Sequence, residues 1–117
     1  MDQYEREWPT AEALWKALDG VGEVRVFSEI SSTNTEAKRI WREEAPALPL
    51  LLVADRQSGG RGRLGRSFYS PAGSGLYFSV LYEAEGSMET AVRITSFAAV
   101  AVMRAIRSLT GKQTAIK

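Results

Sequence analysis

Apolar residues recur along the chain with two periods, one near 3.6 and one near 2, and the switches between them divide it into helices and strands. Ala11, Leu14, Trp15 and Leu18 fall on one helical face, with Gly20 placed for a left-handed cap, which predicts a short amphipathic helix over Ala11–Leu18. From Glu23 to Ser28, Val24 and Val26, followed by Ile30, alternate with Arg25 and Ser28, a strand pattern interrupted by Phe27. Thr33 and Glu36 have capping-box spacing ahead of Ala37, Ile40 and Trp41, which predicts a second helix ending before Pro46. Leu50 to Ala54 is an unbroken apolar run, as expected of a strand covered on both faces. Leu76, Phe78 and Val80 alternate with Tyr77, Ser79 and Leu81 in a third strand, closed by a polar turn at Glu83 to Ser87. Ile94, Ala98, Ala101, Ala105 and Ile106 then mark a long helix over Ala91–Leu109, ended by Gly111. Thr114 to Ile116 reads as the opening of another strand, so the chain is expected to stop within an element. With no internal repeat and no interdomain linker, the expected architecture is α+β: a mixed sheet with helices packed on it, in one incomplete domain over 1–117.

Charge and composition narrow the chemistry. Fifteen Lys+Arg against fourteen Asp+Glu leave a formal charge of +1, so no global field draws the protein to nucleic acid or an acidic membrane, and any anion site must be local. Cysteine and histidine are both absent, which excludes a disulfide framework, thiolate zinc sites and Ser-His-Asp or Cys-His catalysis. Carboxylates, Lys, Arg, hydroxyls and backbone amides remain. The acidic start MDQYEREWPT has no apolar core, and no stretch approaches the ~18 apolar residues of a membrane span, so a cytoplasmic protein is expected.

One segment concentrates what charge there is. Between Arg56 and Arg66, Arg56, Arg61, Arg63 and Arg66 interleave with Gly59, Gly60, Gly62 and Gly65, leading into and through a loop from Gln57 to Ser74. Guanidinium forks bind carboxylate and phosphate oxygens in pairs, and glycines let backbone amides approach the same anion. Gly60, Gly62 and Gly65 also fit G-x-G-x-x-G, but a dinucleotide fingerprint turns tightly from strand into helix, whereas this loop leads through Ser70, Pro71 and Gly73 into a strand. A solvated loop, or a weak arginine-glycine RNA-binding patch, is the plainer alternative.

GRGRLGRSFYSPAGSGLYFS, from Gly60 to Ser79, closely resembles the biotin protein ligase signature, and SSTN (Ser31 to Asn34) and ADRQSGGRGR (Ala54 to Arg63) resemble that family in order and spacing. The resemblance covers roughly Phe27 to Lys117 and implies the N-terminal part of a biotin/lipoate ligase catalytic domain, a fold of the class II aminoacyl-tRNA synthetase type. It implies a biotin pocket lined by Ser32, Thr33, Asn34 and Gln57, with Tyr77 and Ser79 on a pocket wall. Thr33 is equally a helix cap, Gln57 an ordinary loop residue and Tyr77 a core side chain on their residue types alone. Gly60, Arg61, Arg63 and Arg66 belong by the same resemblance to a loop closing over biotin and the adenylate, with Arg61 and Arg63 as the residues that grip reacting oxygens. Where the family often has tryptophan this chain has Phe68, an adenine-stacking ring of smaller area. Lys117 matches the first lysine of a later Lys-Trp-Pro-Asn-Asp motif.

The implied reaction has two steps. The biotin carboxylate attacks the α-phosphate of ATP with Mg²⁺ present and releases pyrophosphate; a lysine of a biotin carboxyl carrier protein, such as that of acetyl-CoA carboxylase, then attacks the biotinyl-adenylate. Neither step needs a protein nucleophile, so the absence of cysteine and histidine is no obstacle. The loop from Gly59 to Ser74 is expected to be mobile without ligand and to order over it. Later parts of the family's sheet, a further lysine and a small C-terminal domain lie outside the chain, so alone it is expected to be inactive and, with sheet surface uncovered, to self-associate. No winged-helix segment precedes Ala11, so repressor-type DNA binding is not expected. A lipoate ligase is the nearest alternative enzyme.

Overall fold

The computed structural model of the chain describes residues 8–84 and 86–116. Two compact units divide it, Met1–Glu83 and Ala84–Lys117. The first is an α+β unit with a three-stranded mixed sheet, in the order β1-β2-β3. β1 (Glu23–Ile30) runs parallel to β2 (Leu50–Gln57), and β3 (Tyr77–Leu81) is antiparallel to β2. Parallel neighbours require a crossover, and α2 (Thr33–Glu43) supplies it. α1 (Ala11–Ala17) precedes β1 and is N-capped by Thr10, whose hydroxyl accepts from the Ala13 amide at 3.1 Å. Gly20 has the expected positive φ of 79°, although the capping amide of α1 belongs to Leu18.

Two-residue periodicity decides what each sheet face does. Leu50, Leu52 and Ala54 are fully buried, and the first two form a core cluster with Ala37 and Ile40 of α2. Phe27, whose bulk interrupts the alternation of β1, packs against that cluster with Leu48 and Leu81. The register pairs Leu50 with Leu81, Leu52 with Ser79 and Ala54 with Tyr77, so Tyr77, Ser79 and Leu81 share the α2 face. On the other face Leu51, Val53, Leu76, Phe78 and Val80 join Leu14 and Leu18 around an apolar hollow of about 440 Å³.

Ion pairs tie α2 to the edge strand. Arg25 of β1 donates to Glu23 at 2.6 Å and to Glu44, just past α2, at 2.8 Å. Arg39 pairs with Glu36, with Glu43 at 2.9 Å and with Glu44 at 3.3 Å. The hydrogen bond from Arg25 holds the Glu44 carboxyl below the usual carboxylate range. A lowered folded-state value means that this contribution to stability is fully present above the ordinary carboxylate range and is lost as pH falls through the folded value. Thermal melts of Glu44→Gln should therefore lie below those of the parent at neutral pH and converge with them in acid. A constant gap across pH would show that the pair contributes nothing through its charge.

Three expectations are corrected. The cap of α2 is Ser32, whose hydroxyl accepts from the Thr35 amide at 3.3 Å, while Thr33 is the first helical residue. The Thr33 hydroxyl is drawn to other partners, and the Glu36 carboxylate to Arg39, so the predicted box never closes. In the second unit, α3 (Met88–Thr110) begins three residues before the expected Ala91 and ends at Gly111, with φ 72°. Residues Thr114–Ile116 form no strand: they continue beyond α3 without a strand partner among the described residues and border an open hollow with Ala98, Val102 and Ile106. The polar turn expected at Glu83 to Ser87 includes Glu85, and that residue and Lys117 lie outside the described residues.

Candidate functional site

The segment after β2 folds as a closed finger. Its composition suggests loss of regular pairing, yet short antiparallel bridges join Gln57 to Ser70 and Arg61 to Ser67. The Phe68 amide donates to the Gly60 carbonyl at 2.7 Å and the Gly62 amide to the Arg66 carbonyl at 2.6 Å. At the tip a single 3₁₀ turn, Arg63–Gly65, places Leu64 at φ 60° and Gly65 at φ 73°. Leu64 pays for that left-handed conformation with no burial in return, being 95% exposed. The finger's base is anchored to the approach to α2: the Ser58 amide donates to Ile30 and the Gly59 amide to Ser31.

That anchoring brings three sequence-distant elements together over a cavity of about 520 Å³. Its polar centre is Thr33, which is buried. The Thr33 backbone amide donates to Gln57 Oε1 at 2.9 Å, and its hydroxyl lies 3.2 Å from the same oxygen and 2.7 Å from Ser79 Oγ. Ser79 in turn donates to Asn34 Oδ1, while Gln57 Nε2 donates to Ser70 Oγ at 3.4 Å and Ser70 to the Phe68 carbonyl at 3.3 Å. A continuous polar chain thus runs from Asn34 through β3 and β2 into the finger. The side chains that would meet a ligand are held by one another, the preorganisation a specific binding site needs.

Of the residues singled out from sequence, Ser32, Thr33, Asn34, Gln57, Arg61, Tyr77 and Ser79 line this one cavity. Tyr77 is also held by its hydroxyl, which donates to the Pro71 carbonyl at 3.0 Å. Gly60 sits behind Gln57. Arg63 and Arg66 lie at the finger's turn, outside the cavity lining, and Phe68 borders a separate hollow with Arg56, Ser58 and Tyr69. Lining residues that sequence reasoning passed over are Thr35, Lys38, Gly62, Leu76 and Phe78. Helical spacing held the signal for one of them: Lys38 stands four residues after Asn34, on the same side of α2.

Lys38 and Arg61 are the charged residues of the lining, and no carboxylate accompanies them. Among the described residues no group of three His, Cys, Asp or Glu is placed to hold a metal ion. No described helix is long and apolar enough to cross a membrane.

A model of the biotin/lipoate A/B protein ligase family matches residues 26–117. The chain is 38% identical over 88 residues to the bifunctional ligase/repressor BirA of Bacillus spizizenii, a match covering 75% of this chain and 27% of that protein. Against the protein of the same name from Bacillus subtilis, identity is 34% over 98 residues, covering 83% and 30%. For that of Escherichia coli it is 30% over 108 residues, covering 92% and 32%. The chain thus spans about a third of the length of the curated relatives it matches.

Proposed function

Since the chain belongs to the biotin/lipoate A/B protein ligase family, we propose that it is the biotin-recognising, N-terminal part of the catalytic domain of a biotin protein ligase. The enzyme uses ATP to form biotinyl-5'-AMP and passes the biotin to a lysine of a biotin carboxyl carrier protein in the cytoplasm. One observation carries this reading: the buried Thr33 node, which holds Gln57 and Ser79 at the polar end of a cavity whose charged side chains are cationic. Biotin has matching parts, a compact cyclic urea with two N–H donors and one carbonyl acceptor, and a carboxylate on an apolar tail. Hydroxyl and amide oxygens at the node suit the urea, the Tyr77 ring offers apolar surface to the tail, and the cavity volume is of the order typical for small-molecule sites.

Within this reading Arg61 meets the carboxylate and the growing charge at the α-phosphate from the cavity wall, and Arg63 and Arg66 approach when the finger closes. Bringing a carboxylate against a triphosphate is unfavourable until cations screen both, and a closed finger also keeps water from the mixed anhydride. Phe68, 62% exposed, is the ring available to stack on adenine.

Calorimetric titration of the chain with biotin and with lipoate tests the assignment. Biotin is expected to bind and lipoate to give no comparable heat. Lipoate binding at least as tightly would move the site to the lipoate branch of the family, and absence of biotin binding would sink the proposal.

A further inference from the structure

We propose that Lys38 is a second carboxylate-binding residue, acting with Arg61 on the acid that binds in the cavity both line; this rests on the reading of the cavity as a biotin site. Lys38 lies in the second turn of α2 and lines the cavity with Asn34 and Thr35 of the same helix. What sets it apart is the allocation of charge around it. The acids of α2 and its C-cap are committed elsewhere: Glu36, Glu43 and Glu44 pair with Arg39, and Glu44 also with Arg25. Arg56 pairs with Glu29 across the β1-β2 edge at 3.8 Å. Lys38 and Arg61, by contrast, form no ion pair among the described residues, and they are the two cations that border the same hollow. Position 34, one helical turn before Lys38 and the natural place for a helix-borne acid to neutralise it, is Asn.

Two like charges facing one cavity with no carboxylate nearby repel each other in the empty protein, and an anion placed between them removes that repulsion and gains attraction to both. The Thr33–Gln57–Ser79 node is neutral, so its hydroxyl and amide oxygens orient a polar head without competing for the anion. The cavity therefore selects a molecule with an uncharged hydrogen-bonding ring at one end and a single carboxylate at the other. Lys38 supplies charge to the carboxylate end only.

The test is titration of the chain and its Lys38→Met and Lys38→Arg variants with biotin and with biotinol, in which the carboxylate is replaced by a hydroxymethyl group. Lys38 is exposed, so its contribution is that of a solvent-screened pair: Lys38→Met should weaken biotin about fivefold and biotinol less than about twofold, and Lys38→Arg should hold biotin within about twofold of the parent. Raising salt should narrow the biotin difference between parent and Lys38→Met. Equal losses for both ligands in Lys38→Met would make Lys38 a packing residue and overturn the proposal. So would biotin affinity unchanged in that variant, with the biotin assignment left standing. A parent chain that binds neither ligand would overturn the biotin assignment and the role of Lys38 together.

Discussion

Thr33→Val should weaken biotin binding about 10- to 100-fold while leaving the fold intact. Valine keeps the shape and β-branching of threonine, so neither the start of α2 nor the cavity outline changes. What disappears is the hydroxyl that stands 2.7 Å from Ser79 Oγ and 3.2 Å from Gln57 Oε1. Gln57 keeps the Thr33 backbone amide and Ser79 keeps Asn34, so no partner is wholly stranded and the stability loss should be about 1 kcal/mol. For the ligand the loss is larger, because two side chains that would meet a buried polar group lose their common brace and the group itself loses a partner. A penalty of about 1.4–2.8 kcal/mol corresponds to that 10- to 100-fold range. Thr33→Ser, which restores the hydroxyl, should recover most of the affinity. Melting temperature and calorimetry on the three proteins separate the effects. If Thr33→Val bound biotin as the parent does, the polar node would be a structural feature of the α2 start with no part in recognition.

The same residue shows where sequence reasoning reached and where it stopped. Strand faces were legible because a period of two leaves little choice: once Leu50, Leu52 and Ala54 are placed inward, antiparallel pairing puts Ser79 and Tyr77 on that face. The cap of α2 was not legible. Ser32 and Thr33 both carry a hydroxyl suited to capping, and the spacing to Glu36 favours Thr33 when only local partners are counted. Two contacts across 24 and 46 residues decide otherwise, since Gln57 and Ser79 draw the Thr33 hydroxyl away and leave Ser32 to bond the Thr35 amide. Local chemistry proposes a cap, and tertiary contacts select it.

The arginines divide for a comparable reason. All three of the finger carry the same chemistry on paper, but the bridge at Arg61 and Ser67 fixes Arg61 on the cavity side, while the reversal at Leu64 and Gly65 carries Arg63 and Arg66 to the turn. Nothing in the spacing of the arginines encodes that reversal. It depends on a leucine adopting a conformation that leucine avoids. Lys38 was missed for the opposite reason: its position was available from helical spacing, but a lysine on an amphipathic helix reads as solvated surface until the opposite cavity wall is known.

The three glycines of the finger motif should respond to alanine in three different ways, with the largest effect at Gly60. An added Cβ there would stand 2.6 Å from Ser70 Oγ, 2.8 Å from the Phe68 carbonyl oxygen and 3.3 Å from Gln57 Nε2. A backbone carbonyl cannot swing aside as a side-chain tip does, so the strands of the finger must part, breaking the Phe68–Gly60 hydrogen bond and shifting Gln57 within the site. Overpacking of this kind costs about 1–3 kcal/mol, and because the displaced side chain belongs to the binding node, biotin affinity should fall at least about tenfold. Gly65→Ala meets nothing within 4 Å but must hold φ 73°, so its penalty is conformational, about 1 kcal/mol, and falls on the finger's turn with little effect on biotin. Gly62→Ala should be nearly silent in stability, since the nearest atoms, on Arg66, are at an ordinary 3.7 Å and the backbone is not left-handed. Chemical denaturation with biotin titration of the three variants checks the order. Equal losses at all three positions would mean that the motif acts through flexibility alone, and that the close approach of Gly60 to Phe68 and Ser70 has no part in holding Gln57.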